Sequence, residues 1–439
     1  MAEDQPAPGC RPVPAGRGRL PPALRCPLFV RLWAGSIVSS IGTQMSNVAK
    51  LWVLYVLTHS ALALGLEGLC FSVPIMLLPL LAGPVSDRVD RRTILKITTA
   101  AEAAGACALA AVAAAGALHP WVIYLTAGIE AARLAFEIPA RTALTTALVP
   151  GEALLSAQSL SAVVWSSAAL AGPALGGLLL ATTSAAVVFA VNGLTTIAAL
   201  IAFLPLSRAT LRAVTGDNAP AGLTSGLRFA WRHRDLLDLE ATLLATSTLV
   251  IGTETLLPVL DQTLWHGGST GYALLRMAPG IAAVLTGAAL SATRAVRSPA
   301  RAITVSVLGA CAGLIAFTQA PGLVAAIGLL VLASLALTAA QVHLVTRIQQ
   351  VTPDHLRGAI SGFSAIAQSG LAGVAAACMA LTAASLGART IIIAVAAITA
   401  VAALCGSARG RRPHRTPLCG SLEVPARMAD PQAACGDEG

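Results

Sequence analysis

Charge is what this chain has least of. Only 11% of its 439 residues are Asp, Glu, Lys or Arg, against roughly 25% in ordinary soluble domains. Hydrophobic residues make up 56% and mean hydropathy is +0.76, so a water-soluble globule of this length is excluded. Aromatic residues stand at 4%, and no alternating apolar and polar pattern runs along the chain, which argues against a membrane β-barrel. Lysine is reduced to Lys50 and Lys96, neither in a Gly-Lys-Ser/Thr context. A phosphate-cradling loop, and ATP hydrolysis by that route, are therefore excluded. The nine cysteines form no CxxC pair, so neither a metal site nor a disulfide framework is expected; they read as small buried apolar residues. The histidines have no metal spacing, and no nucleophile sits with an acid–base partner. Neither an enzyme nor a cofactor is expected.

Apolar runs are what remains. A bilayer core of roughly 30 Å needs about 20 apolar helical residues to cross it. The chain offers twelve such runs, near 28–57, 61–82, 92–116, 120–141, 153–180, 184–205, 236–260, 271–292, 301–319, 322–347, 356–384 and 387–408. The expected class is an all-α membrane protein with twelve transmembrane helices. Residues 1–27 and 409–439 read as polar or Pro/Gly-rich tails unable to bury a core. The long polar connection at 207–235 contains GLTSGLRFAWRHRDLL, which reads as an amphipathic helix on the membrane surface.

The few charges are not scattered. Arginines gather before the first run, after the second, in the middle connection, after the eighth and after the twelfth, with Arg141 after the fourth and Arg347 and Arg357 flanking the loop after the tenth. The opposite loops carry almost none except Arg389. The positive-inside rule then places both termini and the middle loop in the cytoplasm, in the plasma (inner) membrane of a bacterium. Anionic lipid accounts for the net charge of +9, and nucleic acid is not needed as a partner. The halves also echo each other. LVPGEAL around Pro150 is similar to VTPDHLR around Pro353, Gly83 matches Gly287, and IGT recurs at 41–43 and 251–253. The expected architecture is two pseudo-symmetric six-helix bundles, 28–206 and 236–408. Such parallel repeats are an alternating-access arrangement, with the substrate site between the halves.

The stretch GPVSDRVDRR, Gly83 to Arg92, resembles the Gly-x-x-x-Asp-Arg-x-Gly-Arg-Arg signature of the major facilitator superfamily, departing at Asp90 where the family usually has Gly. AFEIPARTALTTALVP at 135–150, FVRLWAGSIVSSIGTQM and HSALALGL are similar to the macrolide-efflux-type and siderophore-exporter-type branch of twelve-helix proteins. The resemblance spans about 28–408, more closely in the first half. It implies a gating role for Gly83, Asp87, Arg88, Arg91 and Arg92, with Asp87 meeting the cytoplasmic start of the eleventh helix near His355 and Arg357 when the inward gate is shut. GPALGG at 172–177 resembles the glycine-rich element of the superfamily's antiporters, with Ala168 where an upstream Gly is expected. Gly172, Pro173, Gly176 and Gly177 are the packing residues it implies.

Ionisable residues inside a membrane helix are functional candidates by default. Lys50 lies in the first run, Glu102 in the third and Glu254 in the seventh, while Glu130, Arg133, Glu137 and Arg141 share one helix face at spacings of three and four. The resemblance assigns helices one, four, seven and ten to the cavity, which brings Lys50, Glu130, Arg133, Glu254, Gln341 and His343 there. Glu130 is the first candidate for a proton carrier and Glu254 the second. Glu137 and Arg141 read as structural, and Glu67 is given no role. The expected function is export of a small amphipathic molecule in exchange for protons, by a monomer in the bilayer. Uptake of a small metabolite and a transport-inactive receptor or scaffold are the alternatives.

Overall fold

The computed structural model describes residues 21–79, 89–206, 228–229, 231–292, 298–353 and 356–410. Gly83, Asp87, Arg88 and His355 lie outside these residues, as do most of both tails and most of the middle connection. Among the described residues the chain is helical without strands. Before the middle connection come α1 (Pro27–Thr58), α2 (Ala61–Leu77), α3 (Arg91–Ala114), α4 (Pro120–Leu148), α5 (Leu154–Thr182) and α6 (Ala185–Phe203). After it come α7 (Arg234–Leu260), α8 (Gly268–Arg276), α9 (Ala278–Ala292), α10 (Pro299–Thr318), α11 (Leu323–Val351), α12 (Arg357–Ile366), α13 (Ala372–Leu386) and α14 (Ala388–Gly410). Only Met277 separates α8 from α9, and a π-turn, Ala367–Leu371, joins α12 to α13.

Local chemistry sets the helix ends. Pro27, Pro120 and Pro299 open α1, α4 and α10, where the missing N–H costs nothing. Asp90, the residue that departs from the family signature, caps α3: its side chain accepts the Arg92 N–H at 3.0 Å. Two expected helix ends move. α4 runs through Pro139 to Leu148, and α11 runs on to Val351. Arg141 and Arg347 are therefore helix residues and not loop charges. Pro139 does not end α4 because a proline in a packed apolar helix removes only one backbone bond, which neighbours can offset. The cysteines also differ from expectation: Cys107 and Cys378 are exposed free thiols, and Cys26 is disulfide-bonded.

Among the described residues, eight helical runs are long and apolar enough to cross a membrane, and α2 and Ala388–Leu404 are shorter apolar helices. The helices α1 and α4, which carry the buried Lys50, Arg133 and Glu137, are not among the eight. Large apolar side chains such as Ile97, Leu194, Val305 and Ile398 are exposed on the outside of the helical body, as lipid-facing residues must be. α7 is the most buried span, at 61% of its apolar window.

Within each half most of the packing is between helices that are not consecutive in the chain. α1 packs on α5 and α6, α3 on α4 and α6, and α2 on α4. In the second half α10 packs on α11 and α14, and α7 on α11, α13 and α14. Two seams join the halves, α2 on α13 and α5 on α8 and α9. Small residues make both seams possible. A Cβ on Gly177 would come within 1.8 Å of Ala273 Cβ, and one on Gly373 within 2.0 Å of Ser72 Oγ. With little hydrophobic drive between helices in lipid, such close approach is what holds them.

Candidate functional site

The site is built from α1, α3 and α4. Lys50, 4% exposed, reaches from α1 and donates to Glu130 Oε2 on α4. One turn along α4, Arg133 lies 3.2 Å from Glu102 Oε2 of α3 and is paired with Glu137. Glu137 also accepts from Arg141. Thr43 Oγ1 of α1 donates to Glu102 Oε1 at 2.6 Å. Three cations and three carboxylates thus form two adjoining groups, the Lys50–Glu130 pair and the Glu102–Arg133–Glu137–Arg141 chain, in which each carboxylate has a partner. That is the form in which buried charge is tolerated, because an unpaired member would keep its full desolvation cost.

The pairing differs from the expected one. Glu130 is paired with Lys50 and not with its helix neighbour Arg133, whose partners are Glu102 and Glu137. Tertiary reach decides this, since α1 and α3 bring opposite charges to α4 that spacing along one helix cannot show. Glu254 lies elsewhere. It pairs with Arg276 of α8, beside the Trp52–Tyr272 ring stack with centroids 5.6 Å apart. Gln341 donates to Ser247 Oγ at 3.4 Å, and neither Gln341 nor His343 lines the cavities described next. Arg91 opens α3, and Arg92 is buried with no hydrogen-bond partner for its terminal nitrogens among the described residues. Gly172 and Gly176 pack against α1 at Gln44 and Met45, and Gly177 against α8. Pro173 is buried within α5.

A cavity of about 550 Å³ lies against this chain of charges. Glu102, Glu130, Arg133, Glu137 and Arg141 form its polar wall, and Phe71, Leu134, Ile138 and Trp165 face it with apolar surface. Ser369, in the π-turn before α13, is its lining residue from the second half. A smaller cavity of about 70 Å³ touches the other side of the same charges, with Lys50, Glu102, Glu130 and Arg133 in its wall. It has room for only a few waters. An apolar chamber with a few convergent polar groups is the usual form of a small-molecule site.

The comparisons with known proteins bear on what passes through it. The sequence matches the transmembrane secretion effector family of the major facilitator superfamily over residues 19–426. The chain belongs to that superfamily. Its relatives include macrolide and multidrug efflux proteins and a staphyloferrin A transporter. It is 27% identical over 357 residues to the multidrug efflux pump Tap of Mycobacterium bovis, covering 77% of this chain and 82% of Tap. It is 29% identical to the MFS-type transporter YfiS of Bacillus subtilis over 48% of this chain and 50% of YfiS. With the staphyloferrin A transporter of Staphylococcus aureus it shares 25% identity over 54% of this chain and 60% of that protein. The match thus spans about half the length of the first two of these curated relatives by similarity, YfiS and the staphyloferrin A transporter. Solved structures agree on the fold. The nucleoside transporter NupG superposes with a TM-score of 0.66 at 13% identity, covering 88% of this chain and 99% of NupG. A bacterial homologue of the lysosomal transporter Spinster, inward-facing and occupied, gives 0.67 at 14% identity, covering 87% of this chain and 96% of that one. The chain is thus a multi-pass membrane protein of a transporter superfamily.

Two charged residues, Glu102 in the site and Arg276 beside Glu254, are given no cavity role by the sequence. Glu102 was visible as an ionisable residue in an apolar run, but assigning cavity roles by helix number set α3 aside. Arg276 stands in a membrane helix as plainly as Lys50 does, and the rule that singles out intramembrane charge applies to it equally. Its partner Glu254 could not be inferred without knowing that α7 and α8 pack together.

Proposed function

We propose that this facilitator is a proton-coupled exporter of a small amphipathic molecule that works by alternating access. Its twelve spans form two six-helix halves, 28–206 and 236–408. The middle connection at 207–235 and the tails at 1–27 and 409–439 are cytoplasmic, in the plasma membrane of a bacterium, and the protein acts as a monomer. The observation that carries this reading is the charged wall of the 550 Å³ cavity, which combines carboxylates with apolar surface. The names of its relatives, a multidrug efflux pump and macrolide efflux proteins, support the exported class.

In this reading the substrate occupies the large cavity and protons meet the Lys50–Glu130 pair from the smaller one. Protonation of Glu130 cancels its attraction for Lys50 and frees the ammonium. A free Lys50 changes the field that a bound molecule meets, so substrate and proton compete through one ion pair. Gly83, Asp87, Arg88, Arg91 and Arg92 serve as the cytoplasmic gate. Glu130→Gln mimics the protonated acid permanently. In vesicles it is expected to exchange substrate down its gradient while a proton gradient no longer drives accumulation. The measurement is proton movement on addition of substrate, and an unchanged proton-to-substrate ratio in Glu130→Gln would remove Glu130 from the coupling step.

A further inference from the structure

Glu67 of α2 is half-buried and has neither an ion pair nor a hydrogen bond among the described residues. Its position follows from the packing of α1 against α2. Leu54 and Ala63 meet in one buried cluster. One turn back along α1 from Leu54 is Lys50, and one turn on along α2 from Ala63 is Glu67. The two therefore lie at one level on neighbouring antiparallel helices. Glu67 interacts electrostatically with Lys50 and Glu130. It is a fourth carboxylate beside a chain of charges that is balanced without it.

Glu67 also lies at the seam between the halves. Its neighbours Gly65 and Gly68 face Ala377 of α13, where an added Cβ would stand 3.0 Å from the Ala377 carbonyl oxygen and 3.5 Å from its Cβ. Tyr272 of α8 is in electrostatic reach of Glu67, and its buried hydroxyl has no hydrogen-bond partner among the described residues. The titratable groups around Glu67 are Lys50 on α1, Tyr124 and Glu130 on α4, Tyr272 on α8 and Cys70 on its own helix. The α13 residues that face its neighbour Gly65, Ala377 and Leu381, are apolar.

This placement separates two carboxylates that otherwise look alike. Lys50 and Glu130 both belong to the first half, so rocking of the halves does not by itself part them. A proton can bias a conformational equilibrium only if the two states bind it with different affinity. Glu67 can meet that requirement through α8 of the second half, whose Tyr272 is within its electrostatic reach.

We propose that Glu67 is the carboxylate whose protonation senses the gate, and that Lys50 passes from Glu130 to Glu67 when the seam beside α8 and α13 opens. Charged Glu67 is then stabilised in the opened state by Lys50 and water. Neutral Glu67 is stabilised in the closed state, beside Tyr272. Low pH favours a closed seam and high pH an open one. This deepens the coupled-export reading and rests on it.

The test needs no substrate. Spin labels incorporated at Ala117 and Gln319, both exposed and one in each half, report the separation of the helix ends on the side of this seam. Distances are measured on the full-length protein in lipid nanodiscs between about pH 5 and about pH 8. In the wild type the open-to-closed ratio is expected to rise about tenfold, the response of one titrating group over one pH unit. Glu67→Gln is expected to hold the low-pH distribution throughout, and Glu67→Asp, which keeps the charge, to restore the response. A wild type whose distances ignore pH overturns the proposal. So does a Glu67→Gln protein that responds like the wild type. Neither result touches the coupled-export reading, which stands or falls on the vesicle measurement with Glu130→Gln.

Discussion

Glu137 shows how a residue can be indispensable to the site without taking part in its chemistry. It is 3% exposed and accepts from both Arg133 and Arg141. Removing its charge leaves two arginines without their shared counter-ion in a low-dielectric interior. Breaking a buried pair in this way costs about 3–5 kcal/mol. Glu137→Gln is therefore expected to lower the melting temperature of the purified protein markedly and to reduce its yield. Glu130→Gln strands one lysine at the edge of a water-sized cavity and should destabilise less. Thermal unfolding of the two variants in one detergent checks the order. Equal melting temperatures would mean that Glu137 is not the keystone of the chain of charges. The sequence made the α4 charges legible as a group, since their spacing along one face is a local property. Which charge pairs with which was not legible, because Lys50 and Glu102 arrive from helices whose neighbours are settled only by packing.

At the scale of elements, the helices themselves were the most readable feature. Apolar run lengths, opening prolines and polar breaks place nearly every boundary, because each depends on a few adjacent residues. The exceptions are α4 and α11, which continue past charged residues that read as loop. A membrane helix can carry such residues when a partner waits inside the protein, and Glu137 is that partner for Arg141. Seams are harder to read than helices. The glycines of α5 divide between two neighbours, Gly172 and Gly176 against α1 and Gly177 against α8, although they are adjacent in sequence. Only Gly177 bears on the contact between halves, and the clash there is with a single methyl group. Gly177→Ala is expected to disrupt the α5–α8 seam and to reduce transport at least several-fold, whereas Ala273→Gly restores the space. The double substitution Gly177→Ala/Ala273→Gly should regain most of the lost activity. Additive loss in the double variant would show that the seam depends on something other than this close approach.

For the whole molecule, contacts between halves run along the α2–α13 and α5–α9 seams, as at Ser72–Gly373 and Ala169–Gly280, and three others gather at one end. The Trp52–Tyr272 stack, the Gly177–Ala273 approach and the Gly65–Ala377 approach all lie toward the α1–α2 turn, near the start of α8. The large cavity lies on the other side of the Lys50–Glu130 pair, extending along α4 as far as Thr145. The proposed topology puts the first region outside the cell and the cavity mouth in the cytoplasm, so this conformation is closed outward. Alternating access then requires the Trp52–Tyr272 stack to part in every cycle. An aromatic stack of this kind contributes about 0.5–1.5 kcal/mol beyond its buried area, enough to bias the two states without locking them. Joining the halves there tests the requirement directly. A disulfide engineered between positions 52 and 272 should stop transport when oxidised and release it on reduction, with protein abundance unchanged. Trp52→Ala should act in the opposite sense, moving the distance distribution at the outer ends toward the open state by several-fold. Full transport by the oxidised, cross-linked protein would show that the halves need not separate at this point, and the cycle would have to be rebuilt around a different seam.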